Sequence, residues 1–291
     1  MKKKKTRQLH MLVTVLIRAV YFFAFPAAWS TGFSGVKYLF TQIHSGKPIE
    51  LTAFLKVLIA LVLYTVVFGR FFCGKACAFG TYGDVLYEIS SRIAGKMKRK
   101  PPRLPKRAGD VLRFLKYAVL LAVCLLCVFG YTSQLSAGSP WTAFSHLIAR
   151  KISVTSRLDQ ISVVLFALCS LGMLLERRFF CRFLCPFGAV FSNLPVLPFS
   201  TASRRKSQCI RGCRACRNTC PARLDLPYSD ESATAEPIHE ARMGECFQCG
   251  ACTQICPRSS AGCLTMPGGI RGIVLDLVKA AVLAVICYFF I

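Results

Sequence analysis

Two runs of four cysteines in the last third of the chain have the spacing of iron–sulfur cluster ligands. The second run reads Cys-x2-Cys-x2-Cys-x3-Cys-Pro. This spacing lets three thiolates on one tight loop bind three irons of a cubane cluster, while the fourth cysteine points to a neighbouring cluster. The first run ends in the same Cys-x3-Cys-Pro but opens with Cys-x3-Cys, which is one residue longer. The runs consist of Cys209, Cys213, Cys216 and Cys220 before Pro221, and of Cys246, Cys249, Cys252 and Cys256 before Pro257.

The same cysteines are open to other chemistry. A zinc site takes four thiolates, commonly as two Cys-x2-Cys pairs, and two runs that each end in Cys-Pro fit cubane ligation better. Disulfides require an oxidising compartment. The additional residue in the first run, which Gly212 could absorb, leaves a three-iron site or a damaged site as alternatives there.

The elements that position these runs include membrane helices. Of the 291 residues, 54% are hydrophobic, yet the formal net charge is +25. High apolarity with high positive charge is typical of a membrane protein whose Lys and Arg lie in loops on one side. Nucleic acid is not expected as a partner, because the charges flank apolar segments. Five spans are predicted, at residues 9–29, 51–68, 111–130, 158–175 and 273–291.

The distribution of Lys and Arg predicts the orientation. The N-terminus holds five, residues 70–107 hold ten and residues 177–271 hold thirteen, against two and three in the other two loops. By the positive-inside rule the three rich segments are cytoplasmic, so the cysteine runs face a reducing compartment. We therefore expect a multi-pass protein of a prokaryotic cytoplasmic membrane, with its N-terminus and cysteine runs in the cytoplasm and its C-terminus outside.

Some charged residues fall within the predicted spans. Lys56, Lys116 and Lys279 lie near helix ends and are expected to extend their ammonium groups to the lipid headgroups. Arg18 lies deeper, and we expect it to do the same from a tilted helix; the alternative is a pair with a carboxylate or a bound quinone.

An internal repeat supplies a second set of cysteines. Residues 70–80 read Arg-Phe-Phe-Cys-Gly-Lys-Ala-Cys-Ala-Phe-Gly, and residues 178–188 read Arg-Phe-Phe-Cys-Arg-Phe-Leu-Cys-Pro-Phe-Gly, at a constant offset of 108. Each copy closes a helical hairpin on the cytoplasmic side, so the first four spans are predicted to form two parallel repeats. The motif cysteines are Cys73, Cys77, Cys181 and Cys185.

Each Cys-x3-Cys motif predicts two thiols on one helix face, because residues four apart in a helix share a face. The Phe-Gly that follows each motif predicts a helix stop. The two pairs are expected to converge into one redox or metal site that holds a metal, a further cluster or a dithiol. The alternative is that these are small apolar residues packed against neighbouring helices.

Over about fifty residues, the two long runs resemble the bacterial two-cluster ferredoxins, in which ligation is crossed between runs. The resemblance implies two 4Fe-4S clusters. It assigns Cys209, Cys213, Cys216 and Cys256 to cluster I, and Cys246, Cys249, Cys252 and Cys220 to cluster II.

Nearly the whole chain is similar to membrane iron–sulfur proteins of the NapH, NosR and CcoG kind. Those proteins combine two Cys-x3-Cys-Pro motifs in a multi-span core with two ferredoxin-type sites in the cytoplasm. The resemblance implies quinol oxidation or electron transfer for the NapH kind and copper reduction for the CcoG kind. Ala78 stands where the first motif of that family has proline.

The expected architecture is mainly α, a polytopic helical membrane protein of about five spans with a small inserted α+β ferredoxin-like domain. Residues 1–200 are expected to form the membrane domain with its two repeats, residues 201–268 the cytoplasmic ferredoxin-type domain, and residues 269–291 the C-terminal membrane helix.

The predicted function is electron transfer between a cytoplasmic or quinone-pool partner and an acceptor in or beyond the membrane. The expected partners are the membrane, redox proteins and a quinone, for which His44, His146 and Trp141 in the outer loops are candidate contacts. Two alternatives stay open. One is a copper-reducing or metal assembly factor that uses the paired membrane cysteines. The other is an electron-carrying structural subunit of a larger ion-pumping complex.

Overall fold

The computed structural model describes residues 2–26, 28–99, 103–148, 156–210, 212–228 and 243–290. It confirms the mainly helical architecture. Two short strands, β1 (Ser203–Arg204) and β2 (Ala261–Gly262), pair in antiparallel fashion within the ferredoxin-type segment. The α-helices are α1 (Lys2–Ala24), α2 (Ala28–Ser45), α3 (Ala53–Phe68), α4 (Ala78–Lys96), α5 (Lys106–Leu112), α6 (Leu115–Val128), α7 (Thr132–Ala137), α8 (Pro140–Ile148), α9 (Arg157–Leu175), α10 (Phe179–Phe183), α11 (Pro186–Asn193), α12 (Ala215–Thr219), α13 (Ala251–Ile255) and α14 (Ile270–Phe290).

Four segments among the described residues are long and apolar enough to cross a membrane, and they match four of the five predicted spans. The remaining predicted span is α3, whose 16 residues rise only about 24 Å at ~1.5 Å per residue. That length is less than the ~30 Å of a bilayer's hydrocarbon core. The four segments are Lys5–Ala24, Arg107–Val128, Arg157–Leu175 and Ile270–Phe289.

The chain divides into two compact units. The first combines Met1–Phe23, Ala60–Ala76 and Phe191–Phe289, so it joins the N-terminal and C-terminal helices to the ferredoxin-type segment. The remaining residues form the second unit, which contains α4 to α10. The first Cys-x3-Cys motif contributes one cysteine to each unit, whereas both cysteines of the second motif belong to the second unit.

In the first unit, tyrosine side chains bind the backbone of α14. The Tyr21 hydroxyl donates a hydrogen bond to the carbonyl of Ala280 at 2.5 Å, and the Tyr64 hydroxyl donates to the carbonyl of Lys279 at 3.0 Å. Both tyrosines are buried. The ferredoxin-type segment has its own small core, against which cysteines of both runs pack. That core consists of Ala202, Leu226, Ala261 and Met266.

In the second unit, aromatic side chains form the core around the second Cys-x3-Cys motif. The rings of Trp29 and Trp141 stack with their centroids 3.4 Å apart and their planes 3° from parallel. Phe180 meets Trp141 edge-on at 4.5 Å and Phe79 edge-on at 4.8 Å. Edge-on aromatic pairs are favourable, and together these ring contacts connect α2, α4, α8 and α10.

Candidate electron-transfer site

A small cavity in the first unit is surrounded by cysteines of both runs. Left-handed backbone at Gln248 (φ 51°) and Gly250 (φ 73°) folds the second run tightly around it, and α13 begins directly after that glycine. Tight left-handed turns of this kind allow three cysteines of one loop to face one point. The cysteines that line the cavity are Cys216, Cys220, Cys246, Cys249 and Cys252.

A second small cavity lies in the same segment, and the additional residue of the first run sits beside it. Gly212 adopts φ 75°, and the N–H of Cys213 donates to the carbonyl of Ile210 at 3.1 Å. A left-handed glycine thus takes up the longer spacing within one tight turn. The cysteines that line this cavity are Cys209, Cys213, Cys216 and Cys256. Each cavity collects all four cysteines that crossed ligation would use, and Cys216 faces both.

The electrostatics of these cysteines fit cation binding. Burial raises the pKa of Cys246 to about 12 and that of Cys220 to about 11, and neighbouring thiols add to the effect. At Cys256, burial also raises the pKa, but hydrogen bonds from the Ser260 hydroxyl and from backbone N–H groups outweigh it and lower the pKa. Ligation requires thiolates, so bound iron would supply the charge that ionises the buried thiols. Four cysteine sulfurs are the donor set of a 4Fe-4S cluster, and the residues present therefore fit this group.

The Cys-x3-Cys motifs do not lie on single helices, so the expectation of two thiols on one helix face is wrong. Cys73 lies in a single π-helical turn, Phe72–Ala76, and Cys77 is extended and precedes α4. Cys181 lies on α10, and Cys185 precedes α11, which begins at Pro186. The Phe-Gly after each motif is therefore in the first turn of a new helix and not at a helix stop. Proline is favoured at that first position because its missing N–H has no helical partner there.

A buried ion pair that the sequence reasoning missed stands beside these cysteines in the second unit. Arg178 is only 3% exposed, and its guanidinium donates to the two Asp84 carboxylate oxygens at 2.6 and 3.0 Å. Cys77 and Cys181 are both near enough to affect the electrostatics of this guanidinium, so one cysteine of each motif lies near the same arginine. The visible signal was the arginine at the same position of both copies of the repeat.

A single metal ion, as distinct from a cluster, needs its ligands close together. Within the described residues, no three His, Cys, Asp or Glu side chains are grouped closely enough to hold one such ion. The structure brings Cys77, Cys181 and Cys185 into one unit. Cys73 belongs to the other unit, and a site shared by all four stays a prediction.

In the first unit, the first motif packs against the loop that carries Cys246. Arg70, the counterpart of Arg178, donates to the carbonyl of Gly244 at 3.2 Å and to Glu245 at 3.3 Å, and it lies over the Phe247 ring at 4.9 Å. A Cβ at Gly74 would collide with the carbonyl oxygen of Phe247. The motif and the cluster loop are therefore in direct backbone contact.

Two of the three lysines within the predicted spans do not extend to the lipid headgroups as expected. Lys279 and Lys116 are fully buried, so neither extends to a headgroup, whereas Lys56 is exposed. Lys279 lies over the Phe71 ring at 5.3 Å. Arg18 is half-buried and donates to the carbonyl of Gly74 at 3.4 Å.

The second unit contains a cavity of about 540 Å³ beside the second motif. Phe180, directly before Cys181, and Leu184, directly before Cys185, contribute to its wall, as do both tryptophans. The indole N–H groups of Trp29 and Trp141 are buried, and neither has a hydrogen-bond partner in the part of the chain that the structure describes. The polar side chains of the wall include Lys37, Ser139, Thr142 and His146.

This arrangement defines the class of protein: a membrane protein with several helical spans that binds 4Fe-4S clusters. The family described as "4Fe-4S dicluster domain" matches residues 208–261, which contain both long cysteine runs. The family described as "4Fe-4S binding domain" matches residues 51–97 and again residues 158–194, once for each copy of the repeat. The chain thus carries 4Fe-4S clusters, and its ferredoxin-type segment is a two-cluster domain.

Relatives of the chain include a putative electron transport protein and a ferredoxin-type protein. An uncharacterized protein of Methanocaldococcus jannaschii is 25% identical over 66% of this chain and 72% of its own length. The putative electron transport protein YccM of Escherichia coli is 24% identical over 79% of this chain and 60% of its own length. The ferredoxin-type protein NapH of the same species is 23% identical over 74% of this chain and 69% of its own length. These similarities support a relationship to the ferredoxin-type proteins of the NapH and NosR kind. No solved structure matches it.

Proposed function

We propose that this protein passes electrons between its two ferredoxin-type clusters and a quinone bound in the cavity of the second unit. The observation that carries the proposal is the cavity itself, because it lies directly beside the second Cys-x3-Cys motif. The names of YccM, a putative electron transport protein, and of NapH, a ferredoxin-type protein, agree with electron transfer as the general role.

The walls of the cavity suit a quinone headgroup. Its volume of about 540 Å³ lies within the range of small-molecule sites, which are mainly apolar with a few polar groups. The indole N–H groups of Trp29 and Trp141 lack partners among the described residues. The carbonyl oxygens of a quinone would satisfy these two donors, whose burial without a partner is costly.

The redox balance also suits a quinone. Reduction of one quinone to a quinol takes two electrons and two protons, and two 4Fe-4S clusters exchange one electron each. His146 and Lys37 are titratable residues of the cavity wall and would donate or accept the protons. Lys37 already donates a hydrogen bond to Ser136 at 2.8 Å, which fixes its ammonium group at the wall.

For the cysteines we propose the crossed ligand sets. Cluster I takes Cys209, Cys213, Cys216 and Cys256, and cluster II takes Cys246, Cys249, Cys252 and Cys220; the two cysteine-lined cavities support this division. The contact between Gly74 and Phe247 supports a route in which cluster II exchanges electrons with the membrane core through the first motif. Cys73, Cys77, Cys181 and Cys185 are proposed to take part in that route as a redox or metal site.

We further propose that the N-terminus and the ferredoxin-type domain, residues 201–268, face the cytoplasm and that the C-terminus of the last helix lies outside. The concentration of Lys and Arg in residues 70–107 and 177–271 supports this orientation. Redox proteins of the cytoplasm would then reach the clusters directly.

Quinone binding is testable by fluorescence, because the two cavity tryptophans are the only tryptophans of the chain. A short-tailed benzoquinone titrated into the detergent-solubilised protein is expected to quench the fluorescence saturably. Trp29→Phe and Trp141→Phe each keep one reporter and remove one donor. Because one hydrogen bond contributes about 0.5–1.5 kcal/mol, each variant should bind roughly two- to tenfold more weakly.

Two controls separate binding from partition into detergent. Tyr131→Phe alters an exposed ring outside the cavity wall and should leave the dissociation constant unchanged. An alkylbenzene with the same tail and no oxygens should not quench saturably. If both compounds quench linearly and equally in every variant, the cavity does not bind quinone.

A further inference from the structure

Lys279 is a buried cation without a hydrogen-bond partner in the described part of the first unit. It lies on α14, its side chain is 0% exposed, and its Nζ has no partner there. Its Nζ lies over the ring of Phe71, 5.3 Å from the ring centroid. Removal of an ammonium group from water costs several kcal/mol unless an opposite charge compensates it. The position of Lys279 therefore calls for a nearby negative charge.

The carboxylate of Asp276, which acts on Lys279, is already engaged by other groups. Asp276, one turn before Lys279 on α14, accepts a hydrogen bond from His10 at 2.6 Å and forms a buried ion pair with Lys75. Lys75 also lies 5.7 Å from the ring of Phe71. One carboxylate thus faces two ammonium groups and an imidazole. Among the described residues, positive charge therefore outweighs negative charge around Lys279.

The loop of the second cysteine run lies close to this excess of positive charge. Lys279 lies over the ring of Phe71, three residues before Gly74, whose backbone contacts Phe247, the residue that follows Cys246. Cys246 and Cys263 are also near enough to affect the electrostatics of Lys279. In the proposed ligand set, Cys246 belongs to cluster II. A 4Fe-4S cluster with four thiolate ligands carries a net negative charge, and reduction adds one more electron. Such a cluster would compensate Lys279, and would do so more strongly in its reduced form.

We infer that Lys279 sets the reduction potential of cluster II. It touches neither the irons nor a substrate, so it is a positioning residue that acts through its charge. Net charge near a cluster is one of the determinants of its potential, and a charge held in an apolar, fully buried place acts more strongly than one in water. The ammonium group therefore favours the reduced cluster and raises its potential. This inference rests on the proposed ligand set.

The test is a redox titration of the purified, cluster-loaded protein in detergent, followed by EPR spectroscopy. Lys279→Met removes the charge and keeps much of the side-chain volume, and Lys279→Arg keeps the charge. We expect Lys279→Met to move the midpoint potential of one cluster to more negative values and to leave the other cluster in place. Lys279→Arg should stay close to the wild type. Lys279→Gln serves as a second neutral variant if Lys279→Met assembles poorly.

The cluster that moves is identified in a background that lacks cluster I. In Cys256→Ala, the remaining cluster is expected to show the same negative shift on addition of Lys279→Met. Lys56→Met, which removes an exposed lysine of α3, should shift neither potential. Iron content equal to that of the wild type shows that the variants are loaded.

Three outcomes would overturn the inference: no shift in the neutral variants, an equal shift of both clusters, or an equal shift in Lys279→Arg and Lys279→Met. Quinone is absent from these titrations. A failure of quinone binding would leave the potential shift intact, and the absence of a shift would leave quinone binding intact. The two proposals can therefore fail separately.

Discussion

Gly74 of the first Cys-x3-Cys motif lies against Phe247, which stands between Cys246 and Cys249 of the second run. The two are so close that a side chain on Gly74 would collide with the Phe247 carbonyl oxygen. The backbone of the motif and the backbone of the cluster loop therefore pack directly on each other. The ion pair of Arg70 with Glu245, at 3.3 Å, holds the same loop one residue before Cys246. The first copy of the repeated motif thus packs against the loop that carries Cys246 and supports it.

Gly74→Ala should dislodge this loop. The new methyl group meets backbone atoms, which cannot rotate away, and overpacking of this kind typically costs about 1–3 kcal/mol. We expect a lower midpoint of thermal unfolding and a weakened EPR signal of one of the two clusters.

Gly95→Ala is the matched control for this substitution. Gly95 lies on α4, and nothing lies within 4 Å of the position of its added Cβ. Because alanine favours a helix over glycine, this variant should be as stable as the wild type or slightly more so. Equal behaviour of the two variants would mean that the contact between Gly74 and Phe247 does not hold the loop.

Crossed ligation predicts which cysteine belongs to which cluster. Anaerobically purified protein should contain about eight irons per chain in two cubanes. Cys256→Ala should remove the cluster of the first run, and Cys220→Ala should remove the cluster of the second. Each exchange should be visible as the loss of one EPR signal and of about half of the iron.

Cys263→Ser is the control for the ligand exchanges, because Cys263 lies nearby but outside both sets. It should retain both clusters. Iron near four per chain in the wild type, together with a silent Cys209→Ala variant, would show that the longer spacing of the first run has abolished cluster I.

The buried ion pair between Arg178 and Asp84 should be essential for the stability of the second unit. Asp84→Asn leaves a buried guanidinium without its counter-charge, and such a loss costs about 3–5 kcal/mol. The exposed pair of Arg92 with Glu88, at 2.9 Å, is the comparison, because surface pairs contribute about 0–1 kcal/mol. Thermal unfolding should therefore be lowered strongly by Asp84→Asn and hardly by Glu88→Gln. Similar effects would indicate that water reaches the Asp84 site.

The proposed orientation predicts a pattern of labelling by a membrane-impermeant thiol reagent. In a variant without reactive native thiols, single cysteines near the N-terminus and at position 242 should react only from the cytoplasmic side. A cysteine at position 291 should react only from outside. Labelling of position 242 from outside would reverse the orientation and every electron route based on it.

The cysteine runs could be predicted from the sequence because ligand spacing is local: Cys246, Cys249 and Cys252 lie on one loop whatever surrounds it. Hydropathy likewise predicts α9 and α14 directly. The breaks at Cys77 and Cys185 were missed because the rule that residues four apart share a face assumes an unbroken helix.

Long-range partners account for the other differences. Asp84 and Arg178 are 94 positions apart, and no local pattern connects them. Lys279 has the sequence context of a lysine that extends to lipid headgroups, but neighbouring elements cover it completely. Burial of this kind depends on tertiary packing, which periodicity and composition do not specify.

The central claim is that the ferredoxin-type clusters exchange electrons with membrane quinone. The most direct measurement reduces the purified protein in liposomes under anaerobic conditions, adds quinone and follows cluster oxidation by EPR and absorbance. We predict that one quinone reoxidises two clusters, and that replacement of Cys73, Cys77, Cys181 and Cys185 by Ser slows this step without loss of the clusters. Clusters that stay reduced in the presence of quinone, yet are oxidised at once by soluble ferricyanide, would contradict the claim.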